Sequence, residues 1–271
     1  MKRPLTKKVY YDIGKIMDLP LEHMRKERDS YIEINSDDDS EPYHDNIWEE
    51  YNISYDYGSR MHYPPITNEK NEKVTIDPLD ENYLHTIGQD DEFNFNDYKK
   101  INALFCSRKC GNFQNSCLRN GFSNPNRCKT CLCPPHYKGR YCDEYKTTNS
   151  KCGKILFTAT DIPQFILHKG VADCYFYINT DYKHVIEVTI IDSNLYETKK
   201  HCPNKKSLEI RYRKDPSVMG AMFCGINKNK TMVSEGNDVS IHYSSRQHKN
   251  WFMLSFRRIP SKVNEQCLKK L

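Results

Sequence analysis

No run of residues in this 271-residue chain is long and apolar enough to cross a bilayer, and only 37% of its residues are hydrophobic. A membrane span and a single large core are both excluded. Cysteine is missing from the first 105 residues. The opening MKRPLTKKVYYDIGKIMDLP supplies basic residues but not the apolar stretch of a secretory leader. Cys-x-x-Cys occurs once, at Cys128 and Cys131, without the second pair that a four-cysteine zinc cluster takes.

What is present points to an oxidising compartment. Twelve cysteines fall between Cys106 and Cys267, a density that a reducing cytosol would not keep bridged, so the chain is expected to be secreted. Cysteines without a leader read as an incomplete chain: a fragment, a shortened gene product or a decayed gene. Nineteen tyrosines suit small β-rich modules rather than a disordered chain. The net charge of +5 is uneven, because residues 32–100 hold eighteen Asp/Glu against five Lys/Arg. That balance names no partner, and nucleic acid is not expected.

Along the chain, Tyr10 to Met17 has helical spacing with Pro20 as a stop, and an acidic stretch rich in Tyr and Asp follows to about Phe105. From 174 onward the pattern changes to short alternating runs: CYFYIN, HVIEVTII, SLEIRYR, VSIHYSS and WFMLSFRRI. Such runs, separated by polar turns, predict an antiparallel sandwich with Ile186, Val188 and Ile190 on one buried face.

The cysteines Cys110, Cys117, Cys128, Cys131, Cys133 and Cys142 end in C-x-C-x8-C, with the turn of HYKGRYC before the last. This block resembles an EGF-like module. The resemblance implies pairs 110–128, 117–131 and 133–142, although spacing alone leaves fifteen connectivities open. So short a module needs bridges to restrict its unfolded state. Ser107, Arg108 and Lys109 stand where a calcium-binding version needs acids, so no calcium is expected there. Residues 152–260, with cysteines at 152, 174, 202 and 224, resemble a CUB domain, which implies bridges 152–174 and 202–224. Lys205, Lys206 and Asn194 fall where calcium-binding CUB domains carry acids. Two sequons, at Asn52 and Asn229, are glycosylation candidates in a secreted chain, Asn229 being the better placed.

The first 106 residues carry the most telling blocks. YDYGSRMHYPP, EHMRKERDSYIEI and TIGQ followed by DYKKINALFC stand in the order of the astacin family of zinc metalloendopeptidases, which these blocks resemble. The family motif H-E-x-x-H-x-x-G-x-x-H falls on YDIGKIMDLPL. The resemblance sets Tyr11, Lys15 and Leu21 at the three zinc-ligand positions, Asp12 at the general-base glutamate and Asp18 at the turning glycine. Met61 and Tyr63 match the family's Met-turn, and Glu22 the acid that meets the mature N-terminus.

A neutral phenol ligates weakly, an ammonium is repelled by zinc and an isobutyl group does not ligate, so no cofactor is expected here, whereas intact members hold zinc. Asp12 is one methylene too short, and without zinc its water would not be acidified. Met61, Tyr63 and Glu22 are then expected to be ordinary loop and surface residues. No compact set formed from His23, His44, His62 and His85 is expected to rebuild a metal site.

The fold class expected is the α+β remnant of a metzincin catalytic domain (1–106), a disulfide-rich EGF-like module (107–143), an all-β CUB sandwich (152–260) and a tail (261–271). Lacking a packing partner, residues 1–105 are expected to be loose. Cys106 and Cys267 are left as the odd pair. The function expected is that of an inactive homologue that binds extracellular proteins or glycans through its two modules. The alternative is an active secreted zinc endopeptidase whose N-terminal sequence is incomplete or misread.

Overall fold

The computed structural model describes residues 7–35, 51–68, 73–74, 76–111, 116–148, 150–198 and 201–261. The chain divides into two units: residues 1–145 with Asp215–Met219, and residues 146–214 with 220–271.

In the first unit, helix α1 (Lys7–Ile16) sets Tyr10, Ile13 and Met17 along one side, where they pack with Leu19, Met61 and Phe93. Its end is a Schellman turn: the amide of Leu19 donates to Gly14 O (2.9 Å) and that of Asp18 to Lys15 O (3.1 Å). Asp18 takes a left-handed backbone, φ 54°, to close it. A side chain there is strained, and aspartate tolerates the strain better than most residues. Asp18→Ala is expected to be less stable than Asp18→Gly by about 1 kcal/mol, read as hydrogen-exchange protection in α1.

Short strands follow: β1 (Ile32–Ile34), β2 (Ile66–Asn68), β3 (Lys73–Val74) and β4 (Ile76–Pro78), pairing β1 with β4 and β2 with β3, both antiparallel. Helix α2 (Phe95–Cys106) starts in a capping box. The Asn94 side chain accepts from the Asp97 amide, and the Asp97 carboxylate accepts from the Asn94 amide.

The described part of residues 1–105 is therefore packed rather than loose. Tyr55, Tyr57, Met61, Tyr83 and Ile87 are buried in it, so the packing surface expected to be missing is supplied from within the unit. The acidic run 37–45 lies outside the described residues.

Residues 116–145 form two hairpins, β5 (Phe122–Ser123) with β6 (Cys131–Leu132) and β7 (Tyr137–Lys138) with β8 (Glu144–Tyr145). The bridges are Cys110–Cys128, Cys117–Cys131 and Cys133–Cys142. Cys106 is unbridged, and Cys267 lies outside the described residues.

The second unit is a two-sheet sandwich. Its strands are β9 (Leu156–Thr158), β10 (Gln164–Lys169), β11 (Ala172–Asn179), β12 (His184–Asn194), β13 (Leu208–Arg211), β14 (Ala221–Phe223), β15 (Ile226–Val233), β16 (Asp238–Ser245) and β17 (Trp251–Pro260). One sheet runs β10-β17-β12-β15 and the other β14-β13-β16-β11-β9; among the described residues only the β9–β11 pair is parallel. Alternation delivers Ile186, Val188 and Ile190 from β12 and Phe252, Leu254 and Phe256 from β17 to the core, all buried. Cys152–Cys174 and Cys202–Cys224 staple it.

Candidate functional site

Successive turns of α1 bring Tyr11, Asp12 and Lys15 onto neighbouring positions. Tyr11 is half-buried, while Asp12 and Lys15 are exposed. The Lys15 ammonium lies 5.9 Å from the Tyr11 ring centre and the Arg60 guanidinium 5.5 Å from it. Burial, a hydrogen bond with the Tyr63 side chain and the neighbouring Asp12 push the Tyr11 phenol up to about 12, against the pull of Arg60. Leu21, beyond the turn, packs into the apolar cluster of Leu19, Met61 and Phe93.

Beneath α1 runs the turn 55–63. Met61 is fully buried, its sulfur where a Cβ on Gly14 would come within 2.4 Å, so glycine at 14 is what lets helix and methionine meet. The turn is pinned from α2: Asp97 accepts from the Ser59 hydroxyl (2.6 Å) and the Arg60 amide (2.8 Å). Met61 O in turn accepts the Glu22 amide, 2.9 Å. Tyr63 donates its amide to His23 Nδ1 (3.3 Å), and the two rings lie tilted by 31° with centroids 4.2 Å apart. His62 Nδ1 donates to Tyr63 O (2.8 Å), which leaves Nε2 to accept from the Tyr55 hydroxyl (2.6 Å). Burial holds His62 down to about 4, in keeping with a neutral ring.

Glu22 and Met61 are thus not surface residues. Glu22 is 1% exposed; its carboxylate accepts from Lys100 Nζ, from Arg25 Nη1 (3.0 Å) and from the Asp56 amide (2.8 Å). Burial alone would raise this acid, but Lys100 and Arg25 overcome it and hold Glu22 down to about 2. Asp56 sits alongside. Burial, Glu22 and Asp97 push it up to about 7, although Gly58, Asn94, Asn96 and Met219 all donate to it. Sequence reasoning does not reach Lys100, Arg25, Asp56 or Asp97. Only the Asn94-x-x-Asp97 capping pattern carries a signal for any of them.

The position that the resemblance assigns to zinc is lined by a phenol engaged with Tyr63, an ammonium and an isobutyl group. That donor set does not fit a zinc ion. Among the described residues, no grouping of His, Cys, Asp and Glu close enough to hold a metal includes Asp12, His23, His62 or His85. His44 lies outside the described residues.

Helix, Schellman turn and buried-methionine turn thus stand together in the first unit, and the second unit is a β-sandwich. Residues 8–106 match the family model of the astacin peptidases, and residues 142–256 match that of the CUB domain. The Caenorhabditis elegans zinc metalloproteinase nas-34 is 31% identical over 261 residues, which cover 93% of this chain and 42% of nas-34. Zinc metalloproteinase nas-23 of the same organism is 28% identical, over 94% of this chain and 50% of its own length. The chain thus spans half or less of these relatives. Of solved structures, the CUB1-EGF-CUB2 domain of human MASP-1/3 is 18% identical over 48% of this chain and 50% of that one, with a TM-score of 0.34. The chain is an astacin-family metalloprotease homologue with a CUB domain.

Proposed function

We propose that this chain is a catalytically silent member of its family that works as an extracellular binding protein through an EGF-like module (107–143) and the CUB domain (152–260). The observation that carries the reading is the donor set at Tyr11, Lys15 and Leu21. Loss of every imidazole removes tight zinc binding, and with it the acidified water that hydrolysis needs. Asp12, exposed on α1, has no metal-bound water to activate. The protein partners or glycans bound would contact the loops of the sandwich and the bridged hairpins. Five disulfides support an oxidising compartment.

Of the two sequons, Asn229 is the glycan acceptor we favour. It is exposed on β15, whereas Asn52 Nδ2 already donates to Asn120 Oδ1 (3.0 Å) and Ser54 Oγ to Asp215 Oδ2 (2.7 Å).

The test is elemental analysis of purified oxidised protein together with incubation against denatured protein. Less than about a tenth of a zinc per chain and no chelator-sensitive cleavage are expected. One zinc per chain that survives dialysis would overturn the reading.

A further inference from the structure

The two edges of the four-stranded sheet are unlike. β15 carries Lys228 and Lys230 at exposed positions and turns left-handed at Asn229, φ 51°. Charge and an irregular backbone of this kind blunt a sheet edge. β10, QFILHK, has neither in its middle. Phe165 and Leu167 are 61% and 65% exposed, while Ile166 between them is 4% exposed and faces the core. β10 pairs with β17 on one side, from Gln164 opposite Phe256 to Lys169 opposite Trp251, and no strand pairs with its other side among the described residues. The edges of the five-stranded sheet, β14 and β9, are three residues each.

We propose that β10 is a homophilic docking edge, where two copies of the chain join β10 to β10 antiparallel about a twofold axis. The sequence is suited to pairing with itself. With Ile166 opposite its own copy, Phe165 faces Leu167 of the second copy, Leu167 faces its Phe165, Gln164 faces His168 and Pro163 faces Lys169. No like charges meet, and apolar cross-strand pairs contribute about 0.2–1 kcal/mol each. The same operation on β15, centred on Asn229, sets Lys228 against Lys230 twice. Charge therefore selects β10 over β15. Ile162 and Val171, 75% and 46% exposed, flank β10 and extend the apolar strip to both sides of the joint. A joint one strand long belongs at the small end of specific interfaces, so the dimer is expected to form at micromolar concentration.

Sedimentation velocity of the oxidised full chain, from roughly 1 to 200 µM, tests this. A monomer–dimer equilibrium is expected, weakened at least about tenfold (1.4 kcal/mol) by F165D alone or by L167K alone. Mixing the two variants should restore a heterodimer, because the register sets the new carboxylate opposite the new ammonium. Both substitutions are at exposed positions, and unchanged far-UV circular dichroism checks that the sandwich is intact. A wild-type chain that stays monomeric throughout, as it would if this edge served a different protein's strand, overturns the proposal. So does a dimer that neither variant weakens, or one that the mixture fails to restore.

Discussion

Replacing Lys100 with methionine is expected to destabilise the first unit by about 3–5 kcal/mol at neutral pH, the cost of leaving a buried charge without its partner. Lys100 is fully buried, and its ammonium faces Glu22 while it also draws Asp56 and Asp97 toward their charged forms. Without it, Glu22 is left with Arg25, which also holds Ile53 O (2.8 Å) and Glu27, and Asp56 and Asp97 lose the cation that favours their charged forms. The loss should depend on pH, and in a stated direction. In the wild type, Glu22 lies below its ordinary value, so its contribution is present above about 4.5 and is lost as pH falls toward 2. In the variant all three acids move up. A raised acid stabilises the fold at low pH and loses that contribution as pH rises, so the deficit of the variant should be greatest near pH 7 to 8 and shrink toward about pH 5. Hydrogen exchange of peptides covering 20–34 and 93–106 reads this unit separately from the sandwich. A deficit under about 1 kcal/mol at pH 7 would mean that the ion cluster is solvated rather than structural.

How far this cluster can be read in advance depends on the kind of signal. Apolar periodicity locates α1 near Tyr10–Met17 and the runs that form β11, β12, β13, β16 and β17, because each buries a regular face. β15, INKNKTMV, escapes such a reading because, of its eight residues, only Met232 is buried. That is what an edge strand looks like from its sequence. β10, QFILHK, runs Phe165, Ile166 and Leu167 together and so hides its alternation, and the three-residue strands β9 and β14 are too short to show a period. The motif register is legible because it is local. Asp18 takes the left-handed turn at the place where the family motif has glycine, and Gly14 leaves room for Met61. Lys100 cannot be read at all, since it follows another lysine on a polar helix and its partner Glu22 lies 78 residues away. Charge counted along the chain says nothing of which groups are buried together, and only in space do Lys100 and Arg25 meet Glu22.

The largest change expected is the return of metal to this framework. A variant carrying Tyr11→His, Lys15→His and Leu21→His, with Asp18→Gly to ease the turn, should bind one zinc per chain with a dissociation constant below about 1 µM, some 8 kcal/mol of binding. The wild type should bind none. Positions 11 and 15 lie one helical turn apart on α1, so two imidazoles there share a face. The Schellman turn then reverses the chain, and position 21 arrives in the same cluster as Tyr11 and Met61. The cost is local. Leu21 is half-buried, and trading its isobutyl group for an imidazole removes some packing against Leu19. Freed from Tyr11, the Tyr63 side chain would face the new imidazole at that position. Zinc content after dialysis, with a rise in thermal stability of the first unit that scales with free zinc, would mark a formed site. A variant that keeps its hydrogen-exchange protection in α1 yet takes up no zinc would sink the idea. It would mean that the three positions no longer converge, and that the framework has drifted along with its ligands.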